Sequence, residues 1–194
     1  MKRLWPGWLL CLATVGLVAH MVLVSVPEIS ALLGGLALPD TVPLGYDVTG
    51  AQALHAAFAA DFAEAAAAGR QSASAAYVAL HAGQDLAAPP LIAASLAFLA
   101  FASAFSGGTW VHPSRPGGIA IGLVLALAFS YLASDFLENA IADALFGPAA
   151  MQAGFNPSLA AVLKVMTIGK FATLILAGVL IAGLWGARWK RARA

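Results

Sequence analysis

Two carboxylates and an amide lie at helical spacing at one end of a long apolar run. Asp135, Glu138 and Asn139 follow Tyr131 by four, seven and eight residues. Residues at these spacings share one face of an α-helix, so the four side chains are expected to point the same way. Carboxylates grouped in this way can pair with cations, bind a ligand or transfer protons as acid and base.

The run that bears these residues is one of four apolar segments. The 194 residues are 61% hydrophobic and 10% charged, and the mean hydropathy is +0.87, which is far more apolar than a soluble domain of this length. Each segment is long enough to cross about 30 Å of hydrocarbon as a helix. The sequence therefore predicts an all-α integral membrane protein, a four-transmembrane-helix bundle forming a single membrane domain over 1–194. The predicted spans are 5–26, 90–110, 118–143 and 159–185.

Basic and acidic residues fall at opposite ends of this predicted bundle. Cations precede the first span, lie between the second and third, and follow the fourth, whereas the acidic residues lie at or near the other end. The positive-inside rule then predicts a multi-pass protein of the cell (inner) membrane with both termini cytoplasmic. Tryptophans at the basic end agree with an interfacial aromatic belt. The residues concerned are Lys2, Arg3, Arg115, Arg188, Lys190, Arg191 and Arg193, with Trp5, Trp8, Trp110, Trp185 and Trp189.

The N-terminus allows two interpretations. Lys2 and Arg3 before an apolar run resemble a secretory signal, but the run is about 20 residues long and no clear small-x-small cleavage site follows it directly. An uncleaved anchor is favoured, with a signal peptide as the alternative. Cys11 is the only cysteine, which excludes an intrachain disulfide or a cysteine zinc site. The sequence predicts no cofactor and no metal.

The segment 27–89 predicts an extracytoplasmic helical cap between the first two spans. It is too long for a simple loop and too short for a separate domain. The run from Thr49 to Gln52 is typical of a capping box that opens a helix, and Gly69 is a plausible end of it. A second short helix is predicted over 74–82, before the turn into the second span.

Counting along the helices places the charged groups at a common depth. Asp135 is 17 residues after Gly118, and Lys170 is 18 residues before Arg188, so each lies about 26 Å from the basic end at 1.5 Å per residue. His20 falls at the same depth, and Glu138 and Lys164 lie one turn further out. Two acids are therefore expected to face two lysines across the third and fourth helices.

Two interpretations of this charged layer stay open. In the first, the ion pairs only fasten the third helix to the fourth, which is what charges removed from water require. In the second, the layer is a ligand or catalytic site, because polar groups inside a membrane protein are costly and often functional.

Gly45-Tyr46, Gly69-Arg70, Tyr77, Asp85 and Asp135-x-x-Glu138-Asn139 occur in this order along the chain. The pattern resembles that of a set of small bacterial and fungal four-span membrane proteins without an assigned activity. The resemblance covers about 38–170, and its most distinctive part is Asp135-x-x-Glu138-Asn139, followed by a lysine in the last span. It implies no reaction, but it implies that four residues of the outer segment converge with the membrane cluster. They are Tyr46 after Gly45, Arg70 after Gly69, Tyr77 and Asp85.

Three hypotheses for function follow. The first is a non-enzymatic membrane protein whose cap and charged layer bind a partner subunit or an amphipathic small molecule, in keeping with the small residues that let helices approach closely. The second is a membrane enzyme for a lipid-like substrate, with Asp135 or Glu138 as acid/base and Lys170 as the electrostatic partner. Ion transport is a weaker third. The lipid bilayer is an expected partner and nucleic acid is not.

Overall fold

The computed structural model describes residues 4–106, 109–110, 113–191 and 193. Among these residues, four helices are long and apolar enough to cross a membrane: Trp5–Leu32, Ala73–Ala102, Arg115–Phe146 and Pro157–Arg191. The all-helical fold with four such helices is as predicted. The helices extend beyond the predicted spans except at the end of the second, which stops at Ala102, before the predicted end at 110.

The elements follow one another along the chain with short connections. A π-helical turn, Met21–Ser25, joins the first two helices, and a 3-10 turn, Pro39–Thr41, precedes the third. The helices are α1 (Trp5–His20), α2 (Val26–Leu32), α3 (Val48–Ala68), α4 (Ala73–Ala82), α5 (Gln84–Ala102), α6 (Arg115–Phe146), α7 (Pro148–Ala153) and α8 (Pro157–Arg191). The two-residue strands β1 (Phe105–Ser106) and β2 (Thr109–Trp110) pair antiparallel between α5 and α6.

Local chemistry explains where the cap helices begin and end. Asp47, not Thr49, caps α3, since its Oδ1 accepts a hydrogen bond from the backbone N–H of Gly50 at 2.7 Å. The predicted capping box is therefore misplaced. Gly69 ends α3 as predicted, with a φ of +65° that favours a residue without a side chain. Ser72 caps the predicted second cap helix, α4.

The second long helix begins earlier than predicted. α4 and α5 meet at Gly83, and α5 already starts at Gln84, so Pro89 and Pro90 lie inside it instead of at its entrance. Each proline removes one backbone N–H donor. A helix tolerates this loss when packing against its neighbours holds the helix in place. Pro89 is buried. The helix that carries the second predicted span therefore begins before residue 90.

Two apolar cores lie at the two ends of the bundle. The cap core joins α3 and α4 to the adjacent ends of α6 and α8, and includes Leu54, Phe58, Tyr77, Phe146 and Leu163. The core at the other end joins α5, α6 and α8, and includes Leu96, Ala100, Val124, Ala128, Ala177 and Ile181. Residues 131–139 of α6 and 167–170 of α8 fall between these cores, and a polar layer results.

Arg188, Lys190 and Arg191 lie with several tryptophans at the end away from the cap. Trp5, Trp8, Trp185 and Arg188 line one cavity of about 500 Å³. Lys190 and Arg191 line another of about 540 Å³, together with Pro116 and Gly117 at the start of α6. Lys2, Arg3 and the Trp110 side chain lie outside the part of the chain that the structure describes.

Candidate binding site

Lys170 is the positive centre of the polar layer. Its ammonium group lies 3.2 Å from Asp135 Oδ1, contacts Glu138 Oε2 and lies 3.5 Å from Asp40 Oδ1. The Lys170 side chain is 9% exposed. The pairing of α6 acids with an α8 lysine, predicted from their depth, is therefore present.

Thr167 completes this arrangement one turn away on α8. Its hydroxyl lies 2.5 Å from Glu138 Oε1 and donates to it. Glu138, which is fully buried, thus has one oxygen on the lysine and the other on the hydroxyl. We call Lys170, Asp135, Glu138 and Thr167 the Lys170 group. Its single ammonium group faces two carboxyl groups, so the lysine can balance only one of them when both are ionised.

His81 lies on α4 between two carboxylates. Its Nδ1 is 2.6 Å from Asp143 Oδ1, and its Nε2 is 3.7 Å from Asp40 Oδ2. Because an ionised carboxylate only accepts hydrogen bonds, the short contact assigns a proton to Nδ1. Nε2 is buried and has no hydrogen-bond partner among the described residues.

Asp40 connects His81 with Lys170. It lies in the 3-10 turn before α3, and its Oδ2 accepts a hydrogen bond from the Tyr77 hydroxyl at 2.7 Å. Burial alone would raise the pKa of the Asp40 carboxyl, but its interactions with His81, Lys170 and Tyr77 outweigh burial and hold the pKa well below its usual value. The cap is thus tied to the long helices through one carboxylate.

Asp85 approaches from α5. The Asn139 amide Nδ2 donates a hydrogen bond to Asp85 Oδ2 at 2.6 Å, which joins α5 to α6. We call His81, Asp40, Asp85 and Asp143 the His81 group.

The polar layer holds more carboxyl groups than basic groups. Within the described residues, carboxylates of Asp40, Asp85, Asp135, Glu138 and Asp143 face one lysine and one histidine. Two buried acceptors, Asp135 Oδ2 and Asn139 Oδ1, have no hydrogen-bond donor there. Such a region favours a cation or a donor-rich ligand.

The predicted site residues divide into those that converge and those that do not. Asp135, Glu138, Asn139 and Lys170 meet in the layer, and Tyr131 is buried one turn before Asp135 on the same face of α6. Of the four residues implied by the resemblance, Tyr77 and Asp85 reach the cluster.

Lys164 and His20 are two expectations that the structure corrects. Six residues separate Lys164 from Lys170, which turns Lys164 about 120° around α8. The backbone of Lys164 instead packs closely against Gly45. A Cβ atom added to that glycine would be 3.0 Å from Lys164 Cα. His20 is exposed on α1. Both were placed by depth, which fixes the level of a residue but not the direction of its side chain.

Tyr46 and Arg70 hold the cap together instead of entering the cluster. The Tyr46 hydroxyl donates to the carbonyl oxygen of Ala37 at 2.9 Å. Arg70 pairs with Asp61 at 2.7 Å, and hydrogen bonding to Asp61 raises the pKa of the Arg70 guanidinium. Asp61 in turn accepts from the backbone N–H of Ala73 at 2.5 Å, so the two residues brace the turn between α3 and α4.

The sequence analysis did not identify four members of the cluster. His81 follows Tyr77 by four residues and Asp143 follows Asn139 by four, so helical spacing could have placed each on the polar face. Thr167 lies three residues before Lys170. Asp40 lies in an irregular turn, where no periodic signal predicts its position.

Comparisons with known proteins add no family or relative. No family model, no curated protein and no solved structure matches the chain. The polar layer, with its geometry and charge, is therefore what supports a function.

Proposed function

We propose that this chain is a small integral membrane protein of the cell (inner) membrane that binds a ligand or a partner subunit in the half next to its cap. The long helices supply the spans. Both termini lie in the cytoplasm, and the cap, α3 and α4, covers the outer end of the bundle. The clustering of Arg188, Lys190 and Arg191 with tryptophans at the end away from the cap supports this orientation.

The excess of carboxyl groups over basic groups in the polar layer is the observation that carries the proposal. Burying carboxylates costs free energy unless cations or donors balance them, and Lys170 alone balances only part of this set. The layer is also fixed on both sides, because Asp40 ties the cap to α8 and Asn139 ties α6 to α5. A pre-organised acidic site of this kind suits a cationic amphipathic molecule or a basic residue of a partner.

Binding is favoured over catalysis by the state of the Lys170 group. Glu138 has both oxygens engaged and no exposed surface, and Lys170 is held by three carboxylates. A general acid or base must reach its substrate within hydrogen-bond distance. The proposed Asp135, Glu138 and Lys170 machinery is therefore better suited to holding the helices together.

Mass spectrometry of the purified protein tests the proposal. The chain is purified in mild detergent, and co-purified proteins and extracted small molecules are identified. We expect one stoichiometric partner or molecule that is retained in Glu28→Gln, an exposed carboxylate control, and lost in Asp85→Asn. Finding neither in the wild-type preparation, or equal retention in both variants, would contradict a binding role.

Cysteine labelling tests the orientation separately. In a Cys11→Ser background, Ala66→Cys on the exposed face of α3 and Arg193→Cys at the other end provide matched probes. A membrane-impermeant maleimide added to spheroplasts should label Ala66→Cys and leave Arg193→Cys unlabelled until the membrane is opened. The reverse pattern would place the cap in the cytoplasm.

A membrane enzyme is the second candidate, favoured by one observation. His81 carries the orientation of a general base, with Nδ1 on Asp143 and Nε2 facing away from it. Incubation of the purified protein with a membrane lipid extract should then convert a lipid, and His81→Gln should abolish the conversion. An unchanged lipid profile with wild-type protein would exclude this candidate for the lipids tested.

A further inference from the structure

Three ligand-type atoms meet in the His81 group. One carboxylate oxygen each of Asp40 and Asp85 and one ring nitrogen of His81 all lie within 4.8 Å of one another. His81 Nε2 and Asp40 Oδ2 are 3.7 Å apart. Two ligands that are each about 2.1 Å from a metal, at a tetrahedral angle, are about 3.4 Å apart. The separation is thus close to that of a metal site.

The histidine is oriented as metal-bound histidines are. A ligating imidazole usually donates its other N–H to a carboxylate, which fixes the tautomer and leaves the free nitrogen for the metal. Asp143 holds Nδ1 in this manner at 2.6 Å. The His81 side chain is 3% exposed, and its Nε2 has no hydrogen-bond partner among the described residues. A buried nitrogen without a hydrogen-bond partner therefore faces the Asp40 carboxylate at 3.7 Å.

The carboxylates are also supported from outside the group. Tyr77 donates a hydrogen bond to Asp40, and Asn139 donates one to Asp85. Outer hydrogen bonds of this kind orient metal ligands and tune their affinity. Each candidate ligand thus has a supporting partner: Tyr77 for Asp40, Asn139 for Asp85 and Asp143 for His81.

We propose that Asp40, His81 and Asp85 bind one divalent transition-metal ion, with zinc as the best fit. A mixed nitrogen and oxygen set suits zinc better than calcium or magnesium, which prefer oxygen ligands alone. Three protein ligands leave a position for water or a further ligand, as in open zinc sites. The inference deepens the proposed function and rests on it, because the ion would occupy the same acidic site.

An ion can reach the site from one edge. The side chains of Asp143 and Asp40 are 35% and 18% exposed, whereas His81 is closed off. The Lys170 ammonium group, 3.5 Å from the other oxygen of Asp40, already partly neutralises that carboxylate. We therefore expect moderate affinity, not the tightest kind of zinc binding.

Metal titration of the untagged, chelator-stripped full chain in detergent tests the proposal. Zinc alone is the probe, followed by calorimetry and by elemental analysis after gel filtration. We expect one zinc ion per chain. When Co²⁺ replaces Zn²⁺, we expect a visible absorption spectrum typical of cobalt bound by nitrogen and oxygen ligands. Failure of the wild-type protein to retain a stoichiometric ion at tenfold excess zinc would overturn the proposal.

Variants identify the ligands. His81→Gln and Asp85→Asn should each lower zinc affinity at least 100-fold, and Asp143→Asn should lower it 10- to 100-fold by releasing the ring. His20→Gln, at an exposed histidine, is the matched control and should bind as the wild type does. Equal affinity in His81→Gln and the control would show that the ion lies elsewhere. The wild-type cobalt spectrum gives the answer even if a variant fails to fold.

The two proposals can fail separately. A co-purified molecule or partner without zinc binding would remove the metal and leave the binding function. Stoichiometric zinc without any co-purified molecule or partner would support the metal site and contradict the binding of a molecule or partner.

Discussion

The Lys170 group and the His81 group are neighbours in one polar layer, yet they differ in how far the polar atoms of their basic side chains are matched. Lys170 has three carboxylates around its ammonium group, and Glu138 has a partner for each oxygen. In the His81 group, by contrast, the ring is bound at Nδ1 while Nε2 is left with only a long approach to Asp40. The first arrangement stabilises the bundle, and the second leaves a ring nitrogen that can bind a ligand.

The chemistry of the two side chains explains this difference. A lysine ammonium group is a compact charge with three rotatable donors, so it can satisfy several carboxylates at once. An imidazole has two nitrogens in fixed directions, and once Asp143 takes one, the other must find a partner along a single line. Structural and ligand-binding roles can therefore share one buried layer.

Removal of the central lysine should break the Lys170 group. Lys170→Met leaves buried carboxylates without their cation, and we expect a loss of about 3–5 kcal/mol in the free energy of unfolding. Lys164→Met, which removes a half-buried lysine outside the cluster, should cost less than about 1 kcal/mol. Unfolding in mixed micelles measures both. Equal losses would show that the ion pairs do not stabilise the bundle.

Zinc should stabilise the protein through the His81 group. At about 100 times its dissociation constant, a ligand that binds only the folded state adds about 2.7 kcal/mol to the free energy of unfolding. Thermal unfolding with and without zinc should show this gain in the wild type and in Thr167→Val. No gain is expected in His81→Gln. A similar gain in that variant would show that zinc does not bind through the His81 group.

Loss of the Thr167 hydroxyl should weaken the Lys170 group, with a smaller loss of stability than removal of Lys170. Thr167→Val keeps the shape of the side chain but removes the hydrogen bond to Glu138, and we expect a loss of about 2 kcal/mol. Thr173→Val is the control, because its hydroxyl bonds to backbone carbonyls of its own helix. Chemical unfolding should separate the two variants by more than about 1 kcal/mol. No separation would mean that Glu138 is held by Lys170 alone.

Acid should weaken the link that Asp40 makes between the groups. Its carboxyl has a pKa below the ordinary value of 3.8 in the folded protein, so the unfolded chain takes up the proton first as the pH falls. The contribution to stability is therefore complete well above pH 3.8 and decreases below it, by up to about 1.4 kcal/mol per pH unit. Asp40→Asn should show a shallower decrease of the unfolding free energy between about pH 4 and pH 2. An unchanged slope would assign the acid sensitivity to other carboxyls.

Helical spacing and depth allowed part of the site to be predicted. The shared face of Tyr131, Asp135, Glu138 and Asn139 follows from 3.6 residues per turn, and counting from the basic end brought Asp135 level with Lys170. The same count included His20 and Lys164 wrongly, because a level says nothing about rotation around the helix axis. α1 packs on α5 through Thr14 and Ser95, and that contact leaves His20 on the surface.

The amino-acid sequence by itself determined the four long apolar helices, the concentration of cations and tryptophans at one end, and the polar face of α6. These properties depend on local composition and on a fixed helical period, which need no knowledge of neighbours. Only the tertiary structure decided that Asp40 and His81 meet Asp85 and Lys170. The direction of each helix face and the path of the chain before α3 are set by packing between segments far apart in the sequence, with Asp40 and His81 themselves 41 residues apart.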